Sequence, residues 1–409
     1  MESVATRKLP LFALLSANAI SLIGNQLTYV AIPWFVLQTT GSAAKTGIAA
    51  FATTLPALLA AFFGGPLVDR WGYKRTSVIA DIASGLTVVL VPTLHHTIGL
   101  AFWQLIALTF LGALLDTPGG TARDSLLPDL AVYAGTRLER VNAINQAIWR
   151  AGGLLGPPLA GVLIVSLGPS NVLFLDAASF AASAVLIAGA VPARRAAAPE
   201  NSARASVSYV AELREGMRFI GNDRLLLAII LSFTALNALS EPLFAVVLPV
   251  YARNTFGSVV ALGLMLAAFA LGGLAGTALF GAVAHRIPRR PLYIASFLTI
   301  AALWWPLLAL PSLPLLLALL ALRGFMGVPP NLLALTISQE RIPAHLRGRV
   351  FGVGRSLALA ALPPSVILVG FSLEVVGLRS TIVALAVIQL LLALTLLYSP
   401  ALRDMGRAR

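Results

Sequence analysis

Twelve apolar stretches, each long enough to cross a bilayer as a helix, follow one another along this chain and leave room for no other fold. They fall at roughly 10–38, 46–68, 76–94, 99–121, 142–167, 171–191, 224–251, 258–283, 291–310, 313–336, 350–373 and 378–399. About 20 apolar residues carry a helix across the hydrocarbon core. Inside that core a segment must satisfy its own backbone hydrogen bonds, which helices do. The expected fold class is therefore an all-α membrane protein. Composition agrees, with 58% hydrophobic and 11% charged residues, against roughly 25% charged in an ordinary soluble domain. The first stretch exceeds the apolar core of a signal peptide and has no small-residue cleavage pattern behind it, so it reads as a retained span.

The net charge of +13 gains its meaning from placement. With the N-terminus inside, only Lys45, Arg253 and Arg379 fall in outer loops, and Arg150, Arg323 and Arg355 fall within spans. The rest of the 29 Lys and Arg residues lie in inner segments. Basic loops resist translocation, so this asymmetry is an orientation signal that puts both termini in the cytoplasm. It is not a nucleic-acid footprint. No cysteine is present, which excludes a disulfide framework and a thiolate metal site. His95 and His96 lack acidic or histidine partners for zinc. No Gly-x-x-x-x-Gly-Lys-Ser/Thr loop is present to cradle ATP phosphates. No metal, cofactor or enzymatic activity is expected.

The longest interruption, 192–223, separates six spans from six. It implies an N-terminal bundle at 1–191, a cytoplasmic linker at 192–223 and a C-terminal bundle at 224–409. Within the linker, Val210, Leu213, Met217 and Ile220 recur at helical spacing opposite Glu212, Glu215 and Arg218. This pattern suits a short amphipathic helix on the inner surface. The halves also echo each other. Gly65-Pro66-Leu67-Val68-Asp69-Arg70 leaves the second span as Gly281-Ala282-Val283-Ala284-His285-Arg286 leaves the eighth. Arg150 before Pro157-Pro158 is matched by Arg355 before Pro363-Pro364. Similar features in the same order are what a duplicated six-helix unit leaves behind.

Two motifs carry further meaning. Gly65-Pro66-Leu67-Val68-Asp69-Arg70-Trp71-Gly72-Tyr73-Lys74-Arg75 occupies the loop after span two. Gly65 permits close helix approach, Gly72 permits a tight turn, and Asp69 can stabilise a helix N-terminus or pair with a cation. Gly152, Gly156, Pro157 and Gly161 mark span five, where small residues let helices touch and proline frees a backbone carbonyl. The first stretch resembles the inner-loop signature of the major facilitator superfamily, except that Tyr73 replaces an arginine. There Gly65, Asp69, Arg70, Gly72, Lys74 and Arg75 form an inner gate, with Asp69 expected to face the start of span eleven. The second resembles the antiporter motif of that superfamily, with Ala160 in place of one glycine. Ser21-Leu22-Ile23-Gly24-Asn25, Ala31-Ile32-Pro33-Trp34, Leu127-Pro128-Asp129 and Gly348-Arg349-Val350-Phe351-Gly352 look like its macrolide and siderophore exporter branch, the last two as inner loops.

Ionisable residues inside the membrane cost about 2.5–3.5 kcal/mol each on insertion scales and are functional candidates by default. Glu241 sits deepest, before Pro242, which could open the helix around it. Desolvation disfavours a charged carboxyl, suiting Glu241 to proton coupling, with Asp176 and Asp116 next. Arg323 is a plausible partner for Glu241. Asn25, Gln26, Trp34, Asn237 and Arg323 are candidates to line a cavity for substrate. The resemblance implies two pseudo-symmetric six-helix bundles in a bacterial inner membrane, acting as a monomer by alternating access. It implies efflux of a small amphipathic molecule, a drug or siderophore-like metabolite, in exchange for protons or another coupling cation. Alternatives are an importer of a small polar metabolite and a non-transporting receptor or scaffold.

Overall fold

The computed structural model describes residues 4–192, 209–283, 286–343 and 346–406, with the side chains of 4–7, 61–70 and 209–213 outside that description. Every regular element among the described residues is helical. Twelve stretches are long and apolar enough to cross a membrane. The first six are α1 (Val4–Thr40), α2 (Ala43–Trp71), α3 (Tyr73–Thr97), α4 (Phe102–Tyr133), α5 (Leu138–Leu167) and α6 (Pro169–Ala190). They are followed by α7 (Tyr209–Asn222) and α8 (Arg224–Pro242). A π-turn (Leu243–Val247), α9 (Leu248–Tyr251) and a second π-turn (Ala252–Phe256) continue the seventh span. The remainder are α10 (Val259–Val283), α11 (Arg289–Ala302), α12 (Leu313–Arg341), α13 (Arg347–Ala360), α14 (Leu362–Val375) and α15 (Gly377–Tyr398).

The chain separates into two compact units, Met1–Glu200 with Ser258–Leu264, and Asn201–Gly257 with Met265–Arg409. In unit 1 the buried residues Leu14, Leu126, Leu130, Val141 and Ile187 join α1, α4, α5 and α6. Lipid is as apolar as these side chains, so close packing and polar contacts hold the helices together. In unit 2, Leu225, Tyr293, Phe297, Leu333 and Ile337 form the main cluster.

Two segments differ from their sequence expectation. Leu127-Pro128-Asp129 reads as a loop, yet α4 runs unbroken to Tyr133 with Pro118 and Pro128 inside it. Thus Arg123, assigned by hydropathy to an inner loop, sits on a helix and is 6% exposed. The linker helix α7 forms, but its inner face packs on protein. A Cβ at Gly216 would meet Val353 Cγ2 at 2.8 Å and Arg349 O at 3.0 Å. Ile220 joins a buried cluster with Val350 and Val353, and Arg349 pairs with Glu215.

Asp223 caps α8, accepting from the backbone N–H of Leu225 at 3.0 Å and of Leu226 at 3.2 Å. Arg341 Nη1 donates to both its oxygens, at 2.9 and 2.8 Å. Burial pushes this carboxyl up, but Arg341 and the two backbone donors outweigh burial and hold it below the usual carboxylate range.

Candidate functional site

In α1, Ser21, Gly24, Asn25 and Thr28 recur at three- and four-residue spacing, which brings them onto neighbouring faces of the helix. Gly24 lies so close to α6 that any Cβ there would collide with Ser179 Oγ and Asp176 Oδ1. That approach delivers the Thr28 hydroxyl to Asp176 Oδ2. Ser179 Oγ donates to Asp176 Oδ1 at 3.2 Å. Asp176 is 1% exposed, and no cation pairs with it among the described residues. It is a buried carboxyl held by two hydroxyls.

The neighbouring cluster is charged. Asp116 and Arg123 are two turns apart on α4, so they share a face. Gly119 lies between them, where a Cβ would meet the Ala80 methyl at 2.8 Å, and this closeness brings α3 against α4. Arg123 Nη1 donates to Asp81 Oδ1 at 2.5 Å, and Ser183 Oγ donates to Asp81 Oδ2 at 2.6 Å. The second arm of the guanidinium reaches Asp116 Oδ1 at 3.5 Å. Asn25 Nδ2 donates to Asp116 Oδ2 at 3.1 Å. Asp81 and Arg123 are buried, while the Asp116 side chain keeps 25% of its exposure. Two carboxyls thus share one cation, and the more loosely held carboxyl is the one open to solvent. A second polar chain runs from Asn18 Nδ2 to Asn145 Oδ1 at 3.2 Å and from Asn145 Nδ2 to Asp124 Oδ1 at 3.3 Å.

Asn25, Asp116 and Asp176 therefore fall together in unit 1. The sequence reading names neither Arg123 nor Asp81 as a site residue. The seven-residue spacing of Asp116 and Arg123 was the available signal, hidden by ending span four at 121. Gln26 packs over α5: a Cβ at Gly156 would lie 2.5 Å from Gln26 Cβ, and one at Gly152 would lie 2.6 Å from Leu22 Cδ2. The small residues of the antiporter motif are thus seats for α1 side chains. At its far end, a Cβ on Gly161 would meet Val260 Cα at 3.0 Å, within the Ser258–Leu264 segment that belongs to unit 1. Trp34 is half-buried, and no hydrogen bond is recorded for it among the described residues.

Of the inner-gate residues, Gly65, Asp69 and Arg70 have side chains outside the described residues, and so does the expected meeting of Asp69 with span eleven. Gly72 makes the turn between α2 and α3 at φ +78°, a conformation glycine adopts at no steric cost. Lys74 Nζ donates to Ala188 O at 2.8 Å, where it satisfies a carbonyl in the last turn of α6. Arg75 is exposed.

Glu241, Arg323 and Asn237 lie in unit 2. Glu241 and Arg323 do not form the ion pair read from the sequence. Arg323 Nη1 donates instead to Ile300 O at 3.0 Å, and its guanidinium stacks 4.8 Å from the Trp304 ring centroid. Glu241 is half-buried and enters no hydrogen bond or ion pair among the described residues. Asn237 lines a cavity of about 380 Å³ with Phe233 of α8, Asn331 and Leu335 of α12, and Phe351 and Arg355 of α13. This volume lies within the range of small-molecule sites.

The family model for the Major Facilitator Superfamily matches residues 14–257 and 231–406. The chain is 34% identical over 406 residues to the multidrug efflux pump Tap of Mycolicibacterium fortuitum, covering 98% of each protein. It is 23% identical over 392 residues to macrolide efflux protein A of Streptococcus pyogenes, covering 93% of each. A crystal structure of the nucleoside transporter NupG shares the fold with a TM-score of 0.75 at 11% identity, covering 95% of this chain and 98% of that one.

Proposed function

The chain belongs to the major facilitator superfamily, and from that premise we propose that it exports amphipathic small molecules, drugs among them, across the bacterial inner membrane in exchange for protons. The drug-efflux reading is supported by the near full-length likeness to a multidrug efflux pump. The basic inner segments support an orientation with both termini in the cytoplasm. Substrate sits in the cavity of unit 2, where Phe233, Leu335 and Phe351 offer apolar surface. Asn237, Asn331 and Arg355 offer hydrogen bonds and one positive charge. An amphipathic molecule matches that wall on both counts.

One observation carries the coupling reading: two carboxyls share a single guanidinium in unit 1, and Asp116 is the accessible one. A cluster with one carboxylate in excess accepts a proton at little electrostatic cost. Protonation of Asp116 cancels its pull on Arg123 and weakens the hydrogen bond from Asn25, so a proton arriving at α4 is felt on α1. Asp176, held by α1 and α6, offers a second protonation site linked to the same helix. Glu241 ranks behind them because it has no recorded partner among the described residues through which the loss of its proton would be transmitted. The protein works as a monomer, since each unit has its own core and its own site.

The test is uptake of a fluorescent amphipathic dye into inverted vesicles under an imposed pH gradient. Asp116→Asn should abolish gradient-driven accumulation while leaving downhill exchange of the dye intact. Asp176→Asn should weaken accumulation, and Glu241→Gln should retain it. Accumulation that survives in Asp116→Asn but vanishes in Glu241→Gln would move the coupling acid to unit 2.

A further inference from the structure

Unit 2 buries a positive charge and, among the described residues, brings no carboxylate within ion-pair distance of it. Arg323 is 4% exposed, on an apolar stretch of α12. A guanidinium does not deprotonate in proteins, so the site holds a full charge. Its recorded partners are the Ile300 carbonyl and the face of Trp304. Nη2 has no acceptor among the described residues. Isolated charges are among the most costly groups to bury, and native proteins pair them.

A second unsatisfied donor stands beside the first. Trp304 is 1% exposed, and its indole N–H has no acceptor among the described residues. Arg323 and Trp304 both line a small, partly enclosed cavity of about 10 Å³, whose remaining walls include Leu243, Leu307 and Leu320. Arg offers five N–H donors and Trp one, and neither side chain offers an acceptor. The cavity therefore asks for an occupant that accepts hydrogen bonds, is compact, of the order of one water or one monatomic ion, and carries negative charge. Phosphate, sulfate and carboxylates are too large. Water fits and accepts, but leaves the charge unbalanced.

We propose that the cavity between Arg323 and Trp304 binds one small monovalent anion, with chloride of fitting size, as the counter-charge of Arg323. The anion ties α12 to the segment after α11. It also touches the π-turn that begins two residues after Glu241, through Leu243. This inference is independent of which acid couples transport.

The experiment measures thermal unfolding of the full-length protein in detergent, titrated with sodium chloride or sodium bromide at constant ionic strength against sodium gluconate. A ligand that binds the folded state stabilises it in a saturable way, so chloride should raise the Tm by roughly 2–4 °C and bromide should act similarly. Trp304→Phe, which keeps the ring and removes the N–H, should shift the half-maximal chloride concentration upward about tenfold. Arg323→Met should abolish the response. If Arg323→Met does not fold, Trp304→Phe and Arg323→Lys carry the comparison, the latter with altered chloride-to-bromide preference. Equal Tm values in chloride and gluconate would mean that the cavity holds water and the proposal is wrong. An undiminished response in Trp304→Phe or Arg323→Met would place the chloride site elsewhere and overturn it equally.

Discussion

Removing Arg123 tests the buried cluster most directly. Arg123→Met leaves Asp81 at 1% exposure with the Ser183 hydroxyl at 2.6 Å as its remaining side-chain donor. Breaking a buried ion pair from one side strands the other charge and costs about 3–5 kcal/mol. For a body of about 200 residues this corresponds to a Tm loss on the order of 10 °C. Asp81→Asn should cost less, because the guanidinium retains Asp116 at 3.5 Å and the amide keeps a group to bond Ser183. Asp81→Asn with Arg123→Met removes both charges of the short pair. It should be more stable than the sum of the single effects by about 1–3 kcal/mol, the range for directly coupled neighbours. Melting of the four purified proteins gives the cycle, and dye accumulation in vesicles gives the functional counterpart. Strictly additive Tm losses would refute the reasoning, since they would mean that the contact contributes nothing beyond the separate side chains.

Gly24→Ala places a methyl against Asp176 and Ser179 and should cost about 1–3 kcal/mol through overpacking, read as a lowered Tm together with reduced dye accumulation. Asp223→Ala removes the cap of α8 and the partner of Arg341 and should cost about 1–2 kcal/mol in a melt at neutral pH. The folded carboxyl of Asp223 lies below its unfolded value, so its contribution is present in full above about pH 4 and is lost as pH falls through the lower folded value. Asp223→Asn should accordingly flatten the acid side of a Tm–pH profile. Phe351→Ala enlarges the unit 2 cavity and should change which dyes are exported by about tenfold while leaving the Tm within a few degrees, as judged by a panel of vesicle assays.

The fold was legible because span length and loop charge are properties of local sequence. Helix ends were less so: hydropathy falls at Asp116 and again at Arg123, yet α4 continues to Tyr133, with Arg123 paired to Asp81 of α3 and Asp116 bonded to Asn25 of α1. Those partners lie about forty and about ninety residues away in sequence, and no window can see them. The same limit misplaced Glu241 and Arg323. Both are polar, deep and in one half, but Arg323 is turned toward Trp304 and the Ile300 carbonyl. The small-residue motif of α5 reads from the sequence as either a packing face or a conformational hinge, and α1 side chains seat in it. What sits in it, Leu22 and Gln26, depends on the rotation of α1, which packing against α6 fixes through Gly24.

The repeat relation between the halves gives these placements a common logic. Aligning the starts of α3 and α11 puts Asp81 over Phe297, a fully buried member of the unit 2 core. Aligning α4 and α12 by their starts puts Arg123 over Ala334, and aligning them by their ends puts it over Asn331. Both of those residues line the unit 2 cavity. The position that carries a charge cluster in one half thus carries core and cavity wall in the other. A charged network at that position in unit 2 would fill the cavity and bind any polar substrate by its charge. An open apolar cavity in unit 1 would leave its carboxyls hydrated and insensitive to one another. The proposed division of labour between the halves, with protons handled in one and substrate in the other, follows from the incompatibility of the two environments.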